Sequence, residues 1–268
     1  MRWRPPRGAL GDLVERAKRA AAERKAGSAA APPKTAATTR SPGRFHAALA
    51  DRSRRGFPLI CEVKRASPSA GAISIAADAA GQAAAYVAAG ARCVSVLTEE
   101  SRFGGSLEDL RQVRAAVDAP LLRKDFVVDA WMVDEAAEAG ADAVLLIAAA
   151  VEPSLLAELE KRAHSLGLDV LLELVNEWDL DALELREWNL VGINARDLET
   201  LEMDADRFGR LAARAAAPGR LLVAESGIRG PEDVRRYRQQ GADAVLVGEA
   251  LMRAERPGEL IASLIEAG

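Results

Sequence analysis

Gln240-Gly241-Ala242-Asp243-Ala244-Val245-Leu246-Val247-Gly248-Glu249 packs a helix end, a glycine stop, a short apolar run and a polar step into one stretch. The same opening recurs upstream. Ala139-Gly140-Ala141-Asp142 precedes the run Ala143–Ile147, and Ala89-Gly90-Ala91 precedes Cys93–Leu97. A glycine that ends a helix just before an apolar run marks a helix-to-strand turn. Five further runs complete a series: Leu59–Val63, Pro120–Leu122, Val170–Leu174, Leu190–Ile193 and Leu221–Ala224. Their centres lie roughly 20 to 34 residues apart, the size of a βα unit. Each is too short for a helix and lacks period-two alternation, as parallel strands covered on both faces do. Eight such units in series predict an α/β fold, a (β/α)8 TIM barrel. A doubly wound open sheet is the competitor, but it more often has a glycine-rich turn after its first strand. Glu62-Val63-Lys64-Arg65 is no such turn.

Outside the barrel units, residues 9–25 space Leu10, Leu13, Val14, Ala17 and Ala21 as one thin stripe, which predicts an extra N-terminal helix packed on a larger body. Residues 26–43, rich in Ala, Pro, Ser and Thr, read as a linker. The expected organisation is therefore a helical extension and linker over residues 1–45 and a catalytic barrel over 46–268.

Composition narrows the function classes. The 268 residues are 49% apolar and 28% charged, which excludes a fully disordered chain. No run approaches the ~20 apolar residues of a membrane helix. Thirty-six Lys and Arg against 40 Asp and Glu leave a net charge of −4, against a nucleic-acid partner. Two cysteines, Cys61 and Cys93, each inside a predicted strand, make no disulfide framework and are expected to be buried thiols. Two histidines and no Cys/His cluster argue against zinc. Met1 to Gly11 is followed by no apolar core of a secretory signal. The expectation is a cytoplasmic enzyme or binding protein.

In a parallel barrel, chemistry collects where the strands end. Glu62, Lys64 and Arg65 follow the first run; Phe103-Gly104-Gly105-Ser106 lies beyond the second; Arg123, Lys124, Asp125 and Phe126 follow the third. Glu173 ends the fifth, Asn194 and Arg196 follow the sixth, Glu225-Ser226-Gly227 the seventh and Gly248-Glu249 the eighth. The other end offers mainly Gly-Ala-Asp turns. Strand residues two apart share a face, so Glu62 and Lys64 go together, as do Leu122 and Lys124, Leu171 and Glu173, and Val223 and Glu225. Charges near a barrel core must be paired or serve a substrate. Glycines after strands seven and eight suit a phosphate group, and Gly230-Pro231-Glu232-Asp233 reads as a helix start nearby. His46, His164, Trp131, Trp178 and Trp188 fall away from the strand ends and are expected to serve packing or the surface.

Taken together, these segments resemble indole-3-glycerol-phosphate synthase of tryptophan biosynthesis. The resemblance rests on Glu62-Val63-Lys64-Arg65-Ala66-Ser67-Pro68-Ser69, Leu97-Thr98-Glu99, Phe103-Gly104-Gly105-Ser106 and Leu122-Arg123-Lys124-Asp125-Phe126. It continues through Leu172-Glu173-Leu174-Val175, Gly192-Ile193-Asn194-Ala195-Arg196-Asp197-Leu198, Ala224-Glu225-Ser226-Gly227-Ile228 and Val247-Gly248-Glu249-Ala250-Leu251-Met252. It implies a lyase that closes an indole ring on 1-(2-carboxyphenylamino)-1-deoxyribulose 5-phosphate with loss of carbon dioxide and water, using no metal or organic cofactor.

The resemblance also implies residue roles. Lys124 would be the general acid, Lys64 the partner of the substrate carboxylate, with proton donation in a later step also open to it, Glu173 the general base, and Glu62 would share the acid–base work or orient Lys64. Asn194 and Arg196 would bind hydroxyl, carboxylate or phosphate groups. Ser67, Glu225, Ser226, Gly227, Gly248 and Glu249 complete the polar binding set. Phe103, Phe126, Leu145, Leu198 and Leu246 would line an apolar slot for the aromatic ring. A substrate with about −2 on its phosphate and one further carboxylate would meet Lys64, Lys124 and Arg196, with Glu62, Glu173 and Glu225 offsetting them in the empty site. A monomer is expected, with association with other enzymes of the pathway left open. The alternatives are a phosphoribosylanthranilate isomerase-like barrel and a non-catalytic phosphate-binding barrel.

Overall fold

The computed structural model describes residues 3–27, 41–67, 71–72, 78–183 and 188–268, and the side chains of all of these except residues 66, 67, 71, 72 and 182. The linker expected over 26–43 thus lies largely outside the described residues, as does most of the stretch after Ser67.

Helix α1 (Gly8–Gly27) comes first, then the short α2 (Arg44–Ala50) and strand β1 (Leu59–Val63). A small antiparallel pair, β2 (Ala66–Ser67) and β3 (Gly71–Ala72), follows β1. The chain then alternates through α3 (Ala79–Ala88), β4 (Cys93–Leu97), α4 (Glu100–Phe103), α5 (Leu107–Ala116), β5 (Leu121–Lys124) and α6 (Ala130–Glu138). Next come β6 (Ala143–Ile147), α7 (Pro153–Ser165), β7 (Asp169–Leu174), α8 (Glu177–Ala182), β8 (Leu190–Asn194) and α9 (Arg207–Ala215). The series ends with β9 (Leu221–Glu225), α10 (Pro231–Gln239), β10 (Ala244–Val247), α11 (Glu249–Arg253) and α12 (Pro257–Glu266).

Strands β1 and β4 to β10 close into one barrel in chain order, every pair parallel, with β1 bonded to both β4 and β10. This is the (β/α)8 barrel with an N-terminal helix that the eight runs predict. The strands are buried almost throughout, which is why their sequences run apolar without alternating. At their C-terminal ends three strands reach further than their apolar runs: β5 takes in Arg123 and Lys124, β8 takes in Asn194 and β9 takes in Glu225. Their polar side chains find partners inside the fold, so they need not end the strand. The fully buried Arg123 points away from the cavity and donates to Thr98, Asp125 and the Met132 carbonyl.

The Gly-Ala-Asp turns brace the floor. Asp142 accepts the Leu121 N–H at 2.9 Å and pairs with Arg44 and Arg114, both at 3.0 Å. Asp243 accepts the Leu222 N–H in the same manner, and Asp169 accepts the N–H groups of Phe45 and His46 at the start of α2. Helix α2 therefore caps the N-terminal end of the barrel. Helix α1 buries the stripe Leu10, Leu13, Val14, Ala17 and Ala21 against the opposite, C-terminal end. It is pinned to α6 by Arg24, whose guanidinium donates to Glu135 at 2.7 and 3.1 Å. No helix among the described residues is long and apolar enough to cross a membrane.

Candidate active site

Glu62 is the last inward side chain of β1 and is 3% exposed. Its two carboxylate oxygens serve two cations. Lys64 Nζ lies 3.1 Å from Oε1, and Lys124 Nζ, from the end of β5, lies 3.3 Å from Oε2. Burial opposes ionisation of Glu62, but Lys124 and Lys64 outweigh it and hold its carboxyl below its ordinary range. Burial likewise disfavours the Lys124 ammonium, yet the carboxyl groups around it, Glu62 foremost, raise its pKa. Lys124 is therefore a cation at neutral pH. A glycine makes this clustering feasible: a Cβ at Gly248 would stand 2.4 Å from Glu62 Oε1.

Across the cavity, Asn194 Nδ2 donates to Glu173 Oε1 at 3.1 Å, and Asn194 Oδ1 accepts the Arg196 N–H at 2.9 Å. The amide thus orients both the carboxylate and the loop after β8. Arg196 gives one N–H to the Leu201 carbonyl at 3.0 Å and keeps the rest of its fork at the cavity wall. Glu225 is 1% exposed and lies beneath the cavity floor, with Oε2 at 3.6 Å from Lys124. Burial, reinforced by Glu173, pushes its carboxyl well above the usual range despite Lys124.

These groups floor an open-mouthed cavity of about 1060 Å³, solvent at its mouth included. Phe103 and Phe126 form one wall, their ring centroids 6.4 Å apart, with Leu145, Leu198 and Leu246 around them. Ser226, Gly227, Gly248 and Glu249 line the other side. Ser226 and Gly227 both have positive φ, at 66° and 75°, and Tyr237 Oη donates to the Ser226 carbonyl. Helix α11 starts at Glu249 with no side chain capping its first N–H groups. The helix start at Gly230 is present, but Asp233 already accepts the N–H groups of Arg229 and Gly230, so α10 caps itself.

The structure thus gathers Glu62, Lys64, Lys124, Glu173, Asn194 and Arg196 with both the apolar and the glycine-rich sets around one cavity. Glu225 sits below that lining, and the side chain of Ser67 lies outside the described residues. Sequence reasoning did not single out Leu13, Leu97, Ile147, Leu201, Ile228 and Val247, which also line the cavity, and it named Asp125 at a strand end without giving it a role. Leu97, Ile147 and Val247 end their strands, a signal that was available. Leu201 reaches the wall through a strained turn at φ 65°, which its residue type does not announce.

The chain matches the family model described as indole-3-glycerol phosphate synthase over residues 11–264. It is 50% identical over 214 residues to indole-3-glycerol phosphate synthase 1 of Streptomyces coelicolor, covering 80% of this chain and 79% of that protein. It is 48% identical over 222 residues to the indole-3-glycerol phosphate synthase of Mycobacterium leprae, covering 82% and 81%. To that of Mycobacterium avium it is 48% identical over 247 residues, covering 92% and 86%.

Proposed function

The chain belongs to the indole-3-glycerol phosphate synthase family, and we propose a division of labour among its cavity residues on that premise. The enzyme is a carboxy-lyase of tryptophan biosynthesis. It converts 1-(2-carboxyphenylamino)-1-deoxyribulose 5-phosphate to indole-3-glycerol phosphate, carbon dioxide and water. An aryl carbon attacks the C2 carbonyl, the carboxylate leaves, and the resulting alcohol is then lost as water.

Lys124 meets the demand of the first step. Negative charge grows on the carbonyl oxygen, and a fixed cation aimed at it lowers the barrier. The nascent alkoxide is far more basic than any amine, so the proton passes from Lys124 although its pKa is raised. Glu62 holds Lys124 and Lys64 at a fixed separation. Lys64 receives the substrate carboxylate, which leaves as carbon dioxide as the ring regains aromaticity. Glu173, oriented by Asn194, takes the proton lost during dehydration. Backbone N–H groups of Gly227, Gly248 and Glu249, with Ser226 and Ser67, hold the phosphate. Arg196 adds a fork for an anionic or hydroxyl group. The aromatic ring lies between Phe103, Phe126 and the leucines, with Leu13 of α1 closing the slot. The enzyme works in the cytoplasm as a monomer.

The observation that carries this reading is a single buried carboxylate holding two ammonium groups at 3.1 and 3.3 Å on the floor of an apolar-walled cavity. An acid that must act beside a decarboxylating group needs that pairing. Purified protein mixed with the substrate in EDTA should produce the indole chromophore. Folded protein that neither binds the substrate nor forms indole would overturn the assignment.

A further inference from the structure

Three carboxyl groups, Glu62, Glu173 and Glu225, meet two ammonium groups, Lys64 and Lys124, at the cavity floor. Glu225 is the one with least support. Neither of its oxygens accepts a hydrogen bond among the described residues, and both are buried. Lys124 is 3.6 Å away but closer to Glu62. The other groups facing Glu225 are Glu62 from β1 and Glu173 from β7; its neighbour on β10 is the apolar Leu246.

Glu225 and Glu173 meet because of Gly192. On β8, Gly192 is level with Glu173 of β7, and Asn194 is level with Glu225 of β9. A Cβ at Gly192 would stand 2.1 Å from Glu225 Oε1. The missing side chain is therefore the space in which the Glu225 carboxyl lies. That gap brings it within hydrogen-bonding reach of Glu173, across the intervening strand. Two carboxylates in contact, both out of water, repel; one proton between them turns the repulsion into a hydrogen bond.

We propose that Glu173 and Glu225 share one proton in the substrate-free enzyme, that it sits on Glu225, and that Glu225 is a positioning residue whose O–H donates to Glu173. The role rests on the reading of Glu173 as the base. Asn194 decides which partner is ionised, because it donates to Glu173 and stabilises that anion, whereas Glu225 receives no donor. The charges then cancel: Glu62 and Glu173 against Lys64 and Lys124. A trianionic substrate meets a neutral floor in place of a negative one. No proton is consumed at Glu225. Glu173 takes the proton lost from the intermediate and returns it to the ammonium that protonated the leaving hydroxyl. Lys124, which gave its proton to the alkoxide, is recharged by one proton from solvent, the proton consumed when a carboxylate leaves as carbon dioxide.

Infrared difference spectroscopy of the wild type against Glu225→Gln, without substrate at neutral pH, reads the shared proton directly. A protonated-carboxyl band, shifted in heavy water, should be present in the wild type and absent from E225Q; equal spectra overturn the proposal. E225Q keeps an N–H donor to Glu173, so its kcat should fall no more than about tenfold, whereas Glu225→Ala should lose about 10²-fold. The kcat/KM profile should fall on the alkaline side as Glu225 ionises, and that fall should vanish in E225Q; an unchanged limb also overturns it. Gly192→Ala, which fills the gap, should behave as E225A. A folded G192A with full activity counts against the proposal, and a misfolded one leaves the decision to E225Q. If the wild type forms no indole, the catalytic reading of Glu173 fails, while the infrared band still decides the shared proton.

Discussion

Lys124 and Gly248 show two ways in which one residue can carry the site. Lys124→Ala removes the cation at the reacting oxygen and should lower turnover about 10²-fold or more, the scale of general acid catalysis. Single-turnover indole formation measures it, and near wild-type rates would remove Lys124 from the role. Gly248→Ala adds a methyl group 2.4 Å from Glu62 Oε1. It should displace Glu62, release both lysines from their fixed spacing, and lower kcat while raising KM. Steady-state kinetics on the folded variant separate the two effects. These residues were legible in the sequence for different reasons. Glu62 and Lys64 share strand parity, and Lys124 shares it with Leu122, so facing the barrel followed from a period of two. The depth of Glu225 was not legible, since parity tells inward from outward but not lining from underlying. That depth depends on Gly192, a residue on another strand.

At the scale of elements, the helix after β7 carries a cost of its own. Asn176 and Asp179 form the capping box of α8, and Asp179 Oδ2 accepts N–H groups of Val175 and Asn176 at 2.7 and 3.1 Å. Burial outweighs those bonds and raises the Asp179 carboxyl to about 6. A carboxyl that binds its proton more tightly when folded stabilises the fold fully below its unfolded value, about 3.8. That contribution is lost as pH rises through about 6. Asp179→Asn keeps an acceptor and removes the titration. Urea denaturation at pH 4 and pH 7 should find the stability difference moving in favour of the variant by about 2–3 kcal/mol between them. A pH-independent difference would place the cost elsewhere. The elements themselves were legible wherever a glycine stop preceded an apolar run. The stripe of α1 was legible too, but its docking was not. Nothing local says that Leu13 reaches the cavity, because that follows from the Arg24–Glu135 contact with α6, 111 residues away.

The whole molecule divides its polar residues by end. Those at the C-terminal ends of the strands gather in or just beneath the cavity, Arg123 apart, and those at the N-terminal end tie turns, α2 and strands together. Asp142→Ala removes the partner of two arginines and of a strand N–H, and should cost about 3 kcal/mol of stability. Turnover measured well below the melting temperature should be unchanged. A drop in kcat in that variant would mean that the two ends are coupled. The same closure gives the molecule a clock. Cys61 on β1 and Cys93 on β4 are free and wholly buried, and burial pushes both thiols up. They lie on neighbouring strands, next to where the barrel joins its first strand to its last. Cys93 faces the inside of the barrel under α2, with its Sγ 3.8 Å from the Phe45 carbonyl, and Cys61, next to the inward Glu62, faces the helix layer near Tyr86 of α3. A thiol reagent reaches the first when α2 lifts and the second when α3 swings out. The rates of their modification therefore time two separate openings of the barrel's covering, one at its N-terminal cap and one in its helix layer, without any added label.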